Sequence, residues 1–288
     1  MVAGLFNYAH VAVVHIGGVL DWDGGMQILK TIAKAFKPLI PADAWISSKN
    51  LYHRWRYPLL WRNRKVARFE YKSIPISLVI VDPSDYIQKK QSEGTFYEEA
   101  DLAALAPYFK SGGTFVDVGA NTGQHSIYFA KILGARKLIL VEPISETCDI
   151  LLENLKINGL LGISDISHLG TGFSDKASSA SFAIDLNNLG HASLREAASG
   201  SIPTQTGDTA LKNQQIDFIK IDTEGFEMKV LRGLAETIRR CRPNIYIEVD
   251  HENSQAFSEF LAASNYRVEL RLKHYDHNEN FLILPNTQ

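Results

Sequence analysis

Short apolar runs alternate with segments of helical periodicity along most of this 288-residue chain. Some of these runs hold consecutive β-branched and aromatic residues, which is typical of strands that are buried on both faces. The clearest runs lie at 114–118, 137–143, 216–222 and 243–250. A weaker run at 165–172 and a closing antiparallel pair at 266–272 and 280–285 complete seven predicted strands.

Apolar residues at helical spacing fill the intervals between these strands. The spacing predicts helices at 122–133, 145–158, 226–240 and 254–263. Strands that alternate with helices favour an α/β domain, in which a mainly parallel sheet carries helices on both faces. Around this core we predict a strand that ends in a turn at 74–88, a helix at 94–109, and a hairpin or surface insertion at 176–203.

The first 72 residues differ from the rest in composition. They hold all four tryptophans and eleven Lys/Arg against four Asp/Glu, whereas the whole chain has a net charge of −2. We therefore predict two parts, a basic, aromatic and helical extension at 1–72 and the α/β domain at 73–288. Arginines alternate with aromatic residues at 51–65, a pattern that fits either a lid or substrate arm for an anionic partner or a packing segment.

Charge, cysteines and hydropathy narrow the class of protein. The overall charge does not indicate a nucleic-acid binder. Two cysteines, Cys148 and Cys241, form no disulfide framework and suit a reducing cytoplasm. The apolar start of the chain lacks a basic n-region and is interrupted by Asn7, His10 and His15, so we expect neither a signal peptide nor a membrane span.

Polar and acidic residues follow almost every predicted strand. In a parallel sheet the carboxyl ends of the strands share one edge, which is where ligands bind. The residues at those ends are Asp117 with the turn 119–123, Glu142, Ser174 and Asp175, Asp222 to Glu224, and Glu248 to Glu252. Carboxylates crowded at one edge repel one another, so the sequence predicts a cationic ligand, a metal ion, or both.

The glycine turn after the first sheet strand limits which ligand this is. A dinucleotide site needs G-x-G-x-x-G, whereas this turn has Gly119 and Gly123 with Asn121 between them. A Walker loop is absent. S-adenosylmethionine carries no phosphate and two positive groups, which suits both the polar turn and the acidic rim. Glu142, nineteen residues after Gly123, fits an acid that accepts both ribose hydroxyls.

Several separated motifs together resemble the FkbM family of S-adenosylmethionine-dependent methyltransferases. The motifs are Gly94-Thr-Phe-Tyr-Glu98, Asp117-Val-Gly-Ala-Asn-Thr-Gly123, Val141-Glu-Pro143, Asn154-Leu-Lys-Ile-Asn158, Ile219-Lys-Ile-Asp-Thr-Glu-Gly-Phe-Glu227, Val230-Leu-Arg-Gly233 and Ile245-Tyr-Ile-Glu248. The resemblance covers roughly residues 73–250 and implies a Rossmann-like class I methyltransferase sheet. It also implies an acceptor hydroxyl on a sugar, glycolipid or natural product. His125 departs from the family, in which that position is often aromatic.

Each strand end then receives an expected role in binding the cofactor. Asp117, Gly119, Asn121 and Gly123 shape the pocket for the methionine half, and Glu142 holds the ribose. Phe173, Ser174 and Asp175 flank the adenine by their position after the third strand. Glu98 folds over the cofactor, as the resemblance implies, although an acid at a helix N-terminus has a purely structural explanation as well.

The expected chemistry requires a base, because an alcohol is a poor nucleophile until its proton is removed. Asp222 or Glu224 serves as that base, since burial raises the pKa of a carboxylate. In the alternative, Asp222, Glu224 and Glu248 bind Mg²⁺, which lowers the pKa of the hydroxyl. We favour the direct base. Lys220 pairs with one of these acids, in a catalytic or a structural role, and His125 is a further candidate base or substrate contact.

Other readings stay open at this point. N-methylation is one, although no Asn/Asp-Pro-Pro-Tyr loop follows the fourth strand. A non-catalytic cofactor-binding module and a dehydrogenase are two more. We expect a small-molecule or glycan hydroxyl acceptor, no nucleic acid and a cytoplasmic location. The sequence does not fix the oligomeric state, and a homodimer is compatible with it.

Overall fold

A computed structural model describes residues 57–184, 192–196, 200, 202–274 and 277–286. Its centre is a seven-stranded sheet of the order β12-β13-β11-β10-β3-β4-β5. These strands are β3 (Thr114–Val118), β4 (Lys137–Glu142), β5 (Ser164–Leu169), β10 (Phe218–Ile221), β11 (Asn244–Asp250), β12 (Tyr266–His274) and β13 (Asn278–Pro285). The predicted mainly parallel sheet is confirmed, since β12, β11, β10, β3, β4 and β5 all run in one direction and β13, between β12 and β11, is antiparallel to its two neighbours.

Several helices pack against the sheet through buried apolar residues. The α-helices that lie wholly within the described residues are α1 (Tyr86–Ser92), α2 (Glu99–Leu105), α3 (Gln124–Lys131), α4 (Ser145–Ile157), α5 (Gly207–Ala210), α6 (Glu227–Gly233), α7 (Ala235–Cys241) and α8 (Ser254–Ser264). One apolar cluster, with Ile219 and Leu231, and a second, with Phe115 and Phe129, pack on the central strands. Phe115 and Phe129 stack with their ring centroids 3.8 Å apart. None of the described helices is long and apolar enough to cross a membrane.

Two smaller sheets flank this core. The first is a hairpin of β1 (Lys65–Tyr71) and β2 (Ile74–Ile80), and the predicted boundary between residues 72 and 73 falls in its turn. The compact unit that contains the sheet begins at Arg56, so the hairpin belongs with the domain. Residues 1–56 of the predicted extension lie outside the described residues.

The second small sheet begins before the insertion predicted at 176–203 and ends just after it. It consists of β6 (Gly172–Phe173), β7 (Ser178–Ile184), β8 (Ala192–Glu196) and β9 (Ile202–Gln205), in the order β6-β9-β7-β8. Strands β7 and β8 pair antiparallel, as expected of a hairpin.

Two predicted elements upstream of the sheet differ from the structure. The strand predicted at 74–88 ends at Ile80, and helix α1 follows because Asp85 accepts a hydrogen bond from the Gln88 amide and caps its first turn. The helix predicted at 94–109 begins only at Glu99, because Glu98 adopts a left-handed conformation with φ of 58°. Neither a cap bond nor a left-handed acid is visible in hydrophobic periodicity.

Candidate active site

A cleft opens at the carboxyl ends of β3, β4, β10 and β11, where the sequence predicts the site. Eight predicted site residues line it: Glu98, Gly119, Asn121, Glu142, Phe173, Asp222, Glu224 and Glu248. Six other predicted site residues lie outside the lining: Asp117, Gly123, His125, Ser174, Asp175 and Lys220. The lining also includes residues that were not among the predicted site residues, namely Ile87, Tyr97, Val118, Val141, Pro143, Ile144, Thr147, Gly172 and Thr223.

The glycine turn brings β3 against the end of β10. Gly119 has φ of 79°, and a Cβ there would collide with the backbone carbonyl of Asp222. Only glycine therefore lets the two strand ends approach this closely. The amides of Gly119 and Ala120 both donate to the Val141 carbonyl, at 2.9 and 3.0 Å, which ties the turn to β4 as well.

Glu142 fixes the other side of the turn. One carboxylate oxygen accepts the Asn121 amide at 2.8 Å and the other accepts the Ile144 amide at 2.9 Å. Asn121 is itself left-handed, with φ of 48°, as short polar residues tolerate. Burial raises the pKa of Glu142 to about 7, although both amides oppose this shift. We call Glu142, Asn121 and Ile144 the ribose end of the cleft, after the group that the sequence predicts Glu142 to bind.

Gly123 has a supporting position. It precedes α3 with φ of 79°, and a Cβ at this position would lie 3.1 Å from the Leu151 side chain. The position thus permits close packing of α3 against α4. On the predicted adenine side, Phe173 lines the cleft, whereas Ser174 is buried next to it and Asp175 pairs with Arg232 at 3.3 Å.

Lys220 lies beneath the cleft, with 2 % of its surface exposed. Its ammonium group is 3.4 Å from Asp117 and 3.2 Å from Asp222, and it donates to the Gly119 carbonyl at 2.8 Å. Burial alone would lower the pKa of Lys220, but Asp222 and Asp117 raise it above its usual value. Lys220 is therefore a permanently charged support that joins β3 and β10. The Asp117 carboxylate also accepts the Ser126 hydroxyl at 2.7 Å.

Three carboxylates, those of Asp222, Glu224 and Glu248, converge at another part of the cleft. We call it the transfer end, because the sequence predicts the catalytic base there. Each offers an oxygen within 4.8 Å of the others. Burial, helped by repulsion from Asp222 and Glu224, raises the pKa of Glu248 to about 10. Glu224 is exposed to solvent, yet partial desolvation at the cleft, helped by repulsion from Asp222, raises its pKa to about 7. Burial also acts on Asp222, but the Lys220 ammonium holds its net pKa below the usual value, so Glu248 donates a hydrogen bond to an ionised Asp222.

The turn that carries Asp222 and Glu224 is held by Glu227, which was not among the predicted site residues. One Glu227 oxygen accepts the amides of Thr223 and Gly225, at 3.1 and 2.9 Å, and the Thr223 hydroxyl at 3.0 Å. Glu224 needs this support because it is left-handed, with φ of 53°. The only sequence signal was an acid directly after Glu224-Gly225-Phe226 at the start of a helix.

His125 is buried near Glu98 rather than in the cleft lining. Its Nε2 is 3.7 Å from a Glu98 oxygen, which is beyond hydrogen-bond distance. Burial, together with the Lys220 charge, lowers the pKa of His125 to about 3. A neutral imidazole of this kind is a weak base at neutral pH. The structure therefore does not place His125 where it would take a proton from an acceptor.

These residues fit S-adenosylmethionine. The left-handed turn admits no side chain at Gly119, Glu142 presents a carboxylate for ribose hydroxyls, and the acidic lining suits a sulfonium and an ammonium group. Fold and site together define a Rossmann-like methyltransferase. A sequence model of the methyltransferase FkbM domain matches residues 117–276, which is more than half of the chain. The chain belongs to this family, and the resemblance seen in its motifs is confirmed.

Solved structures give a weaker comparison. A methyltransferase FkbM from Methylobacillus flagellatus is 18 % identical with a TM-score of 0.47, and the match covers 64 % of this chain but only 46 % of that one. A protein of the NADB-Rossmann superfamily from Streptococcus agalactiae is 15 % identical with a TM-score of 0.45, and the match covers 67 % of this chain and 70 % of that one. TrmK from M. capricolum, solved with S-adenosylhomocysteine, is 15 % identical with a TM-score of 0.41, and the match covers 64 % of this chain and 67 % of that one. No curated protein matches the chain.

Proposed function

We propose that the protein is an S-adenosylmethionine-dependent O-methyltransferase that acts on a hydroxyl of a sugar, a glycolipid or a natural product. The observation that carries this proposal is the gathering of Asp222, Glu224 and Glu248 next to the glycine turn. A hydroxyl acceptor needs a base within hydrogen-bond reach, and these side chains supply one.

In this proposal each wall of the cleft would hold a different part of the methyl donor. Glu142 would accept the ribose hydroxyls, Phe173 would pack by the adenine, and the turn from Gly119 to Asn121 would enclose the methionine half. When bound, S-adenosylmethionine supplies a methyl group on a positively charged sulfur. The transfer end then faces that charge, which offsets the repulsion among its carboxylates.

Glu224 is the base best matched to neutral pH. Its pKa of about 7 leaves it ionised in a large fraction of molecules and still basic enough to accept a proton. Glu224 would take the hydroxyl proton of the acceptor, whose oxygen would receive the methyl group that the bound donor would supply. Asp222 stays ionised because it pairs with Lys220, and its negative charge therefore remains at the transfer end.

A methyl-transfer assay with carbon-13-labelled donor tests this proposal. The acceptors are neutral methyl glycosides, a glycolipid, phenols and amines, and the chemical shift of the labelled methyl group reports whether it sits on oxygen or nitrogen. We expect O-methyl products. N-methyl products would replace the proposal with the N-methyltransferase reading, and stabilisation by NAD without any response to S-adenosylhomocysteine would contradict it altogether.

A metal-assisted version is a second candidate, because the three oxygens at the transfer end lie close enough for one hard cation. Asp222, Glu224 and Glu248 would hold Mg²⁺, and the ion would lower the pKa of the acceptor hydroxyl. Activity that survives EDTA supports the direct base. Activity that EDTA removes and Mg²⁺ restores supports the metal. A small-molecule or glycan acceptor, a cytoplasmic location and the oligomeric state stay predictions.

A further inference from the structure

Glu98 enters the cleft in an unusual way for an acid at a helix start. It has φ of 58° and ψ of 36°, and its side chain makes no capping bond to α2. A left-handed conformation is costly for a residue with a Cβ and persists where the surroundings hold it. The Glu98 side chain is 6 % exposed, yet the residue lines the cleft.

The backbone before Glu98 is held by Gln124, which is 4 % exposed. The Tyr97 amide donates to the Gln124 carbonyl oxygen at 2.8 Å, and the Gln124 amide group donates to the Tyr97 carbonyl at 3.1 Å. Gln124 therefore engages both backbone polar groups of one residue, Tyr97. Since it begins α3, it links the Glu98 segment to the glycine turn.

The carboxylate of Glu98 is held from the sheet. The Tyr246 hydroxyl lies 3.4 Å from one Glu98 oxygen, and the Asn280 amide group lies 3.3 Å from the other. Asn280 also donates to the Tyr246 hydroxyl at 2.7 Å. Both donors are buried, at 4 % and 2 % exposure. Burial and the neighbouring Glu98 raise the pKa of Tyr246 well above its usual value, so its hydroxyl stays a donor.

Asp101 shares the same donors. Its carboxylate is 3.0 Å from the Tyr246 hydroxyl and 3.3 Å from the Asn280 amide group. The two acids thus share one hydroxyl proton, which is nearer Asp101, and one amide group at 3.3 Å from each, and of the two acids only Glu98 lines the cleft. The arrangement aims Glu98 at the cleft and keeps Asp101 behind it.

The position of this cluster tells which part of the donor Glu98 meets. Tyr246 lies on β11 and Asn280 on β13, whereas Glu142 lies on β4, on the far side of β3. Tyr246 is in register with Lys220, and Lys220 with Asp117. The cluster therefore lies on the opposite side of the glycine turn from the ribose end. With the ribose at Glu142, the methionine half lies on the Glu98 side.

We propose that Tyr246 and Asn280 are positioning residues that hold the Glu98 carboxylate against the α-ammonium group of the methyl donor. This inference rests on the donor assigned under the proposed function but not on the acceptor. Glu98 contacts the ligand, and Tyr246 and Asn280 act through Glu98.

Replacing Tyr246 with Phe tests the proposal by removing one oxygen atom. We expect the Kd for S-adenosylhomocysteine, measured by calorimetry, to rise about tenfold, the usual scale for a hydrogen bond to a charged group. Tyr266→Phe is the matched control, because its buried hydroxyl donates to the Pro243 carbonyl at 2.9 Å, away from the cleft. We expect Tyr266→Phe to lower the Tm by a similar amount and to leave the Kd for S-adenosylhomocysteine unchanged.

A deaminated S-adenosylhomocysteine, which lacks the α-amino group, separates positioning from general damage. Wild type and Tyr246→Phe should bind this analogue with equal Kd. An equal loss for both ligands, or an unchanged Kd for S-adenosylhomocysteine, overturns the proposal. Asn280→Ser gives the same test through the second donor if Tyr246→Phe does not fold. Because only binding is measured, a wrong acceptor assignment does not affect the outcome.

Discussion

The two ends of the cleft hold their carboxylates in opposite ways. At the ribose end, each oxygen of Glu142 accepts a backbone amide, so the acid is fixed by neutral dipoles. At the transfer end, Asp222, Glu224 and Glu248 face one another, and Asp222 forms an ion pair with the buried Lys220. The ribose end therefore offers an acid oriented by the backbone, which we propose binds neutral hydroxyl groups. At the transfer end, desolvation and mutual repulsion raise the pKa of Glu224 and Glu248, so we expect a positively charged ligand to stabilise their ionised forms.

The largest expected effect comes from the base at the transfer end. Glu224→Gln should lower kcat by about 10²- to 10⁴-fold, because an amide cannot take the hydroxyl proton. The Kd for S-adenosylhomocysteine should stay within about threefold of the wild-type value, by analogy with a loss confined to the transition state. Glu236→Gln, on the exposed surface of α7, is the control. Wild-type kcat in Glu224→Gln would remove Glu224 from the mechanism.

The same residue predicts the pH dependence of the reaction. A base must be deprotonated, so kcat/KM should rise with pH up to about 7, the pKa of Glu224, and level off above it. Below that pKa the rate should fall about tenfold per pH unit, since the ionised fraction falls in that proportion. The residual activity of Glu224→Gln should show no such slope. A wild-type profile that is flat from pH 5.5 to 8 would exclude this base.

Removing the cation below the transfer end tests its role as a support. Lys220→Met should destabilise the protein by about 3–5 kcal/mol, because Asp117 and Asp222 lose their buried counter-ion. Urea unfolding measures this change. Lys229→Met, at a side chain that lies over the Phe226 ring, replaces another lysine outside the cluster and should cost far less. Equal costs would mean that Lys220 does not stabilise the strand ends.

The ribose end should respond in binding rather than in turnover. In Glu142→Gln, the side-chain amide group would face a backbone N–H of Asn121 or Ile144, so one of the two bonds is lost. We expect the Kd for S-adenosylhomocysteine to rise about 10- to 100-fold, on the scale of one or two hydrogen bonds to a charged group, with kcat nearly unchanged at saturation. Glu146→Gln, outside the cleft lining, is the control. A loss of kcat without a change in Kd would reverse the contrast between the two ends.

The sequence predicts the transfer end well, for a physical reason. Asp222, Glu224 and Glu248 each follow or end a continuous apolar run, and the geometry of a parallel sheet brings the ends of such runs together. Glu142 and the left-handed Gly119 belong to the same argument. The core of the fold was predictable from the alternation of these runs with helices.

The parts that the sequence did not predict depend on contacts between distant residues. Asn280 is 182 positions from Glu98, and Gln124 is 27 positions from Tyr97. A buried Tyr or Asn inside an apolar strand looks like any core residue, because periodicity reports burial and not the hydrogen-bond partner. The left-handed Glu98 likewise depends on the groups that hold it rather than on its neighbours in sequence.

The smallest expected effect concerns the stability of the transfer end without ligand. The pKa of Glu248 is about 10 in the folded protein and about 4.3 in an unfolded chain, so the folded state binds the extra proton across that range. Stability is therefore greatest below pH 4.3 as far as this group is concerned, and it falls as pH rises towards 10. We expect the Tm of the unliganded protein to fall by a few degrees between pH 8 and 9.5, where Glu142 and Glu224, with pKa values of about 7, are already ionised. Glu248→Gln, which mimics the protonated acid, should remove most of this slope, whereas the exposed Glu259→Gln should keep it. If Glu248→Gln leaves the slope unchanged, the repulsion at the transfer end is not what separates it from the ribose end.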